Sequence, residues 1–397
     1  MEQYHSIISI SRFLEQKQMN FSPTIVDLFC GCGGFGLGAE LAGFKTIVAV
    51  DIDATLQSAY KKNFPETHVL NGDLSLLTEE SWRIMLNGAE VDGVIGGPPC
   101  QGYSRMGKSD KKDPRRTLLG HFFRNVNIIS PKFFIMENVE GLMDKKNIYE
   151  LKNALKILDK KYKTLKPMII DSSVFGAPTK RKRVILIGYN PDFFPKLTAE
   201  DFQPEEPLTT TVFEAISDLP PPISQTKDKD DFGWNAYPES SELSSYAKKM
   251  RILPKEGLGW NISLNKLKEG FSSGYFDTMH LPLIIKRYAS LEPGMVDKIS
   301  RAKKLSWTGL CPTLRAGTGS DKGSHQAVRP IHPEQPRVIT VREAARLQGF
   351  PDWFIFHPTK WHSFRMIGNS VSPIVSEAIL SKVKVILESG NNSRKVV

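Results

Sequence analysis

At 397 residues, with 40% hydrophobic and 24% charged residues, the chain has ordinary globular composition and material for two or three domains, which excludes a disordered or fibrous protein. No apolar run approaches the roughly 20 residues a bilayer-spanning helix needs, and Ile7, Ile8 and Ile10 are too brief and too broken for a signal peptide, so a cytoplasmic protein is expected. The net charge of +10 favours encounter with polyanions, and Cys30, Cys32, Cys100 and Cys311 match neither a disulfide framework nor a four-ligand zinc site.

In chain order, the first half alternates short apolar runs with longer mixed segments. Thr24–Phe29, Thr46–Asp51, Gly93–Gly97, Phe133–Met136 and Val184–Gly188 read as buried strands. Between them Gly36–Ala42, Asp53–Asn63, Thr117–Ile129 and Tyr149–Lys160 read as helices. Strands alternating with helices predict an α/β fold, a doubly wound and mostly parallel sheet covered on both faces. The pattern decays after about Pro191. Asp201–Pro222 is rich in proline, threonine and acids, and Ser224–Ser245 is polar. From there to Pro336 aromatic and basic residues interleave: Trp260, Tyr275, Phe276, Arg287, Tyr288, Trp307, Arg315, His325 and Arg329. That composition suits a smaller, loop-rich domain facing nucleic acid better than a linker. Helix signals return at Val341–Gln348 and Pro373–Leu387, and the tail after Ser389 is expected to fray.

Val26–Phe44 is a strand, a glycine-rich turn and a helix, with Gly31, Gly33 and Gly36 forming a G-x-G-x-x-G. Glycines there let the backbone turn sharply and approach a ligand that a Cβ would exclude. Cys30 and Cys32 sit in this turn as small buried residues rather than metal ligands. Asp51, at the end of the next strand, is placed to accept both hydroxyls of a ribose. Asp73, in Asn71-Gly72-Asp73 at the end of another, is placed to accept from an adenine amino group. Any adenosine-containing cofactor satisfies these features, a dinucleotide included.

Gly96–Ser104 (GGPPCQGYS) narrows the choice. Two prolines stiffen the chain and present Cys100 at the carboxyl end of a strand, where doubly wound sheets place ligands. Cysteine is the strongest side-chain nucleophile once deprotonated. The loop Arg105–Arg116 carries six basic residues against two acids and suits a phosphate backbone. Phe133–Leu142 sets Glu137 at the same sheet edge, and Thr179–Tyr189 sets Arg181 and Arg183 two apart, on one face of a strand entry.

With these motifs in order, the chain resembles the bacterial DNA (cytosine-5)-methyltransferases of the restriction–modification type, over nearly its whole length. The carrying motifs are Pro98-Pro99-Cys100-Gln101, Glu137-Asn138-Val139, Arg181 with Arg183, Thr340–Pro351 and Gly368–Val371. Thr179 departs from the family's usual glutamine.

The resemblance implies a Rossmann-like S-adenosylmethionine-dependent methyltransferase domain with a smaller inserted target-recognition domain. The expected division is 1–190 plus 364–397 for the catalytic and cofactor domain, 191–336 for target recognition, and 337–363 for a supporting helix and hinge. It assigns S-adenosylmethionine to Phe29, Gly31, Gly34, Asp51, Ile52, Asp73, Leu74, Pro99, Asn369, Ser370 and Val371. Cys100 is the implied nucleophile on carbon 6 of a cytosine flipped out of duplex DNA, and Glu137 is expected at ring N3. Arg181 and Arg183 are expected to neutralise the carbonyl oxygen and order the nucleophile. Ser104, Arg105 and Arg115 are expected on DNA phosphates. Arg342, Glu343 and Arg346 are expected to form structural ion pairs rather than read bases. A monomer is expected, with a cognate restriction endonuclease acting separately. The rivals are a tRNA cytosine-5 methyltransferase on the same fold, a DNA-binding regulator that keeps the fold without catalysis, and a nicotinamide dehydrogenase. The last leaves Cys100, the arginine pair and the basic loop unused.

Overall fold

The alternating apolar runs assemble into an eight-stranded mixed sheet. The computed structural model describes residues 22–99, 117–239, 242–316 and 329–394. The sheet strands are β1 (Thr24–Leu28), β2 (Lys45–Asp51), β3 (His68–Asn71), β4 (Gly93–Gly96), β5 (Phe133–Val139), β6 (Lys163–Thr164) and β7 (Met168–Asp171). After a short strand β8 (Thr179–Lys180) outside the sheet, β9 (Lys182–Tyr189) completes it. The order is β3-β2-β1-β4-β5-β9-β6, with β7 also on β9. Strands β1 to β5 run parallel, whereas β9 is antiparallel to β5, β6 and β7. The order reverses between β1 and β4, which opens a crevice at the carboxyl ends of the parallel strands.

The helices are α1 (Gly34–Leu41), α2 (Ala54–Asn63), α3 (Glu79–Leu86), α4 (Leu118–Ile129), α5 (Ile148–Leu155) and α6 (Val212–Ile216). They continue with α7 (Ser245–Met250), α8 (Asn261–Lys268), α9 (Pro282–Ala289), α10 (Val341–Gln348), α11 (Lys360–Asn369) and α12 (Pro373–Arg394). Phe35 and Ala39 of α1 and Val375 and Ile379 of α12 pack with Ile25, Phe133 and Ile135 on one face of the sheet. Trp82, Leu119, Phe122 and Leu151, from α3, α4 and α5, pack with Val26, Leu28 and Val94 on the other. Both faces are covered, as parallel sheets require. Phe194, Leu197 and Phe202, beyond the decay at Pro191, still join the first of these cores. A third cluster binds α2, α6, α8, α10 and α11 together.

Several boundaries differ from the sequence expectation. The helix begun near Tyr149 stops at Leu155, not Lys160. Asn127 of α4 donates to the Ile157 carbonyl (2.8 Å) and accepts the Asp159 N–H (3.0 Å), capturing backbone groups a longer helix would need. The C-terminal helix passes Ser389 and runs to Arg394, with Ser389 Oγ bonded back to the Val385 carbonyl (2.8 Å). Strand β5 extends to Val139 because its pairing with β9 continues to Arg183. Among the interleaved aromatics, Tyr275, Phe276 and Tyr288 are core residues, and the half-buried Arg287 pairs with Asp297 (2.8 Å).

Helix α10 is buried along its length. A capping box starts it, with Thr340 and Glu343 exchanging side chain-to-backbone bonds, and Gly349 in the left-handed region ends it. Arg346 bonds Asp352 (2.6 Å) and Asp218 (3.1 Å), Arg337 forks onto Glu343 (2.7 and 2.9 Å), and Arg342 donates to the Ser273, Pro351 and Phe354 carbonyls. The structural role expected for Arg342, Glu343 and Arg346 is what the structure contains.

Candidate active site

A cavity of about 680 Å³ lies at the carboxyl ends of β1 to β5, within the range of pockets that enclose small ligands. It is lined by every described residue of the expected catalytic and cofactor sets. Cys100, Ser104, Arg105 and Arg115 lie outside the described residues, although Pro99, next to Cys100, lines the cavity.

The glycine turn forms one wall. Gly33 has φ +98°, and a Cβ there would fall 2.4 Å from the Phe64 ring, so only glycine fits. Phe29 is itself left-handed at φ 57°, a rare state for an aromatic residue and a form of strain that concentrates at ligand sites. Asp51 Oδ2 accepts the Gly31 N–H (2.8 Å) and its Oδ1 accepts the Asp53 N–H (2.8 Å), which fixes the tip of β2 against the turn. Burial pushes the Asp51 carboxyl up against the lowering effect of those bonds. Hydrogen bonds from Ser75 instead hold Asp73 below the usual carboxylate range, so Asp73 is an ionised acceptor at neutral pH. Ile52, 69% exposed and next to Asp51 in the chain, offers an apolar surface in the cavity lining. Buried Asp27 has an Oδ1 with no hydrogen-bond partner among the described residues. Leu74 is held through its carbonyl by Arg124 (2.6 Å) and Asn125 (3.1 Å). Asn369 is exposed to the cavity, while Ser370 Oγ sits 3.1 Å from Cys32 Sγ and Val371 is buried. Two carboxylate acceptors, an apolar platform and an unsatisfied buried oxygen fit an adenosine-containing cofactor.

The opposite wall carries Glu137. The β5–β9 register sets Glu137 opposite Ile185 and Val139 opposite Arg183, which makes Glu137 and Arg183 diagonal neighbours on one face. Their side chains meet, with Arg183 Nε 2.8 Å from Glu137 Oε1. A Cβ at Gly97 would lie 3.2 Å from Glu137 Oε2, so the glycine leaves that oxygen its room. Asn138, next in chain, donates to the Pro98 carbonyl (3.1 Å) and ties the proline segment to β5.

Arg181 differs from the expected pair. It lies between β8 and β9 rather than on the strand, and its guanidinium donates to the carbonyls of Leu314 (3.1 Å), Gly368 (3.0 Å) and Ser370 (3.0 Å). It ties two distant segments, at Leu314 and at Gly368–Ser370, to the β8–β9 junction, whereas Arg183 reaches the acid. Thr179, in place of glutamine, donates to the Leu347 carbonyl (2.5 Å), so its buried hydroxyl is satisfied. Sequence reasoning missed Asn138 as a tether, His121 and Leu118 as lining residues, and the pair Asp53–Arg365. Asn138 stood inside a quoted motif; the others carry no local signal.

Comparison with known proteins gives a consistent picture. Residues 23–385 match the family of C-5 cytosine-specific DNA methylases. The Type II methyltransferase M.XorII of Xanthomonas oryzae pv. oryzae is 39% identical over 362 residues, covering 90% of this chain and 83% of that protein. The Type II methyltransferase M.DdeI of Desulfomicrobium norvegicum is 30% identical, covering 92% and 90%. A solved DNA modification methyltransferase encoded within an E. coli prophage superposes with a TM-score of 0.83 at 40% identity, covering 92% of this chain and all of that one. The S. pombe Dnmt2 methyltransferase, at 16% identity and a TM-score of 0.58 over 93% and 99%, shares the fold.

Proposed function

The chain belongs to the C-5 cytosine-specific DNA methylases and is a DNA (cytosine-5)-methyltransferase, and we propose that it uses S-adenosylmethionine, a transient covalent bond from Cys100 and a flipped base to methylate one duplex sequence. The observation that carries this mechanism is the Glu137–Arg183 pair, set beside Pro98-Pro99 in the same cavity as the glycine turn. S-adenosylmethionine, when bound, supplies a sulfonium methyl as the electrophile. Asp51 and Asp73 hold the ribose and the adenine amine, and Phe29, Ile52, Leu74 and Pro99 enclose the base. Gly31, Gly34, Asn369, Ser370 and Val371 close the remaining end.

Carbon 5 of cytosine is a poor nucleophile because the ring is electron-deficient. Addition of the Cys100 thiolate to carbon 6 moves electron density to carbon 5, splitting one hard step into easier ones. Glu137, oriented by Arg183, meets N3 and the exocyclic amine and stabilises the added state. Arg181 acts as a positioning residue that holds the Gly368–Ser370 segment in place. With the methyl passed to carbon 5 and the electron pair of the broken sulfur–methyl bond left on sulfur, loss of the carbon-5 proton to solvent and expulsion of the Cys100 thiolate would restore the ring. The base reaches this cavity only by leaving the duplex, at a cost of about a few kcal/mol. Ser104, Arg105 and Arg115 meet the flanking phosphates.

We assign target recognition to 191–336, whose first dozen residues pack on the sheet, and the supporting helix and hinge to 337–363. The Type II names of the relatives support a restriction–modification role with a separate cognate endonuclease. The enzyme acts as a monomer in the cytoplasm, and no described helix is long and apolar enough to cross a membrane.

The test is incubation with S-adenosylmethionine and mixed-sequence duplex DNA, read by bisulfite sequencing with Cys100→Ala as control. Protected cytosines in one short context, lost in the variant, are expected. Methyl transfer to tRNA with no duplex protected would move the substrate to RNA.

A further inference from the structure

Asp53 and Arg365 line the cavity yet carry none of the roles above. Asp53 stands before the first turn of α2 and divides its carboxylate between two tasks. Oδ1 caps the helix, accepting from the N–H groups of Thr55 (3.0 Å) and Leu56 (3.1 Å). Oδ2 accepts from Arg365 Nη2 at 2.5 Å, a partner 312 positions later, in α11. The Asp53 N–H donates to Asp51 Oδ1, and Asp51 Oδ2 accepts from Gly31. A continuous series of bonds therefore runs from the glycine turn, through the tip of β2, to α11. Ile52 is carried between the two aspartates. The Arg365 guanidinium also lies 5.9 Å from the Trp361 ring one turn back, which steadies its arm. The Arg365 and Asp53 side chains are 29% and 23% exposed, so the pair sits at the rim of the cavity rather than in the core.

We infer that the Asp53–Arg365 pair is a clasp across the nucleoside end of the cavity, fixing Asp51-Ile52-Asp53 against α11 and so positioning Asp51 and Ile52 for the adenosine of the cofactor. The inference rests on the cofactor assignment above. Both residues are positioning residues, since neither meets a reacting atom. Without the clasp the tip of β2 keeps its bond to the turn but loses its polar tie to α11, and a bound nucleoside escapes faster.

The test is calorimetric binding of S-adenosylhomocysteine to the wild type, Arg365→Ala, Asp53→Asn, their double variant and Arg365→Lys, with the thermal midpoint of each unliganded protein. Asp53→Asn keeps a capping oxygen and removes the charge. Each of Arg365→Ala and Asp53→Asn is expected to weaken binding by about 3–5-fold, the upper scale of a partly exposed ion pair. The double variant should bind no more weakly than the worse single one, and Arg365→Lys should recover binding to within about twofold of the wild type. Raising salt from ~50 to ~500 mM should weaken binding to the wild type more than to the variants. Affinities unchanged in the single variants, losses that multiply in the double, or midpoints that fall while affinity holds would each overturn the clasp alone. No binding to the wild type would overturn the cofactor assignment, and the clasp with it.

Discussion

Asp27 and Asp51 at the cavity, and Glu343 and Asp352 around α10, are carboxylates largely withdrawn from water, yet their surroundings hold them in opposite directions. Burial, then the neighbouring Asp51 charge, pushes Asp27 well above the usual carboxylate range, and burial raises Asp51 too. Around α10 burial acts the same way, but the hydrogen bonds and charge of Arg337 outweigh it at Glu343. The charge and hydrogen bonds of Arg346 do so at Asp352. One region closes its buried charge with guanidinium partners. The other leaves an oxygen of Asp27 without a partner among the described residues. Polar capacity left open inside a protein is costly and tends to persist where a ligand uses it. The contrast therefore separates the junction, which holds the molecule together, from the cavity, which performs the chemistry.

The largest effect is expected in the junction. Arg346→Met should cost about 3–5 kcal/mol of stability, because Asp352 and Asp218 lose a buried cation. Urea denaturation measures it, and a loss under about 1 kcal/mol would mean the network is not closed as described. At the cavity the pattern should invert. Arg183→Ala, releasing Glu137, should lower kcat by about 10²–10³ with a smaller loss of stability than Arg346→Met, because the pair faces the cavity. An equal fall in stability would place Arg183 with the junction. The smallest effect sharpens the comparison through pH. A carboxylate whose folded pKa is raised gives stability that is full below its unfolded pKa and lost as pH rises through the folded value. Asp27→Asn should therefore gain stability over the wild type as pH rises from 4 to 8, by up to about 1–3 kcal/mol. A lowered carboxylate gives stability present above its unfolded pKa and lost as pH falls through the folded value. Asp352→Asn should therefore be most destabilising near neutrality and converge on the wild type in acid. Thermal midpoints across that range decide between the two signs, and matching slopes would erase the distinction.

Much of the cavity was legible in the sequence because short-range pattern governs it. Strand ends place Asp51, Asp73, Pro99 and Glu137 at one edge, and the G-x-G-x-x-G marks the turn. Glu137 with Arg183 follows from two motifs once their strands pair, although the antiparallel register that joins them is not written in either segment. Arg181 was legible as a residue but not in its partners, since the carbonyls it bonds are 133, 187 and 189 positions away. Asp53 with Arg365 shows the same limit. The overlong reading of the helix at Tyr149 came from local propensity, which a side chain from α4 overrides. Among the aromatic and basic residues between Trp260 and Arg329, composition did not separate the buried Tyr275 and Tyr288 from exposed neighbours.

The nucleophilic role of Cys100 is tested most directly by trapping. A duplex carrying 5-fluorocytosine at the protected cytosines found by bisulfite sequencing would be incubated with S-adenosylmethionine and the wild type or Cys100→Ser, then digested and examined by mass spectrometry. Fluorine at carbon 5 cannot leave as the proton does, so a covalent adduct should persist on the peptide that contains Cys100 and be absent from the variant. No adduct with the wild type, or an equal adduct in Cys100→Ser, would contradict covalent catalysis by this residue.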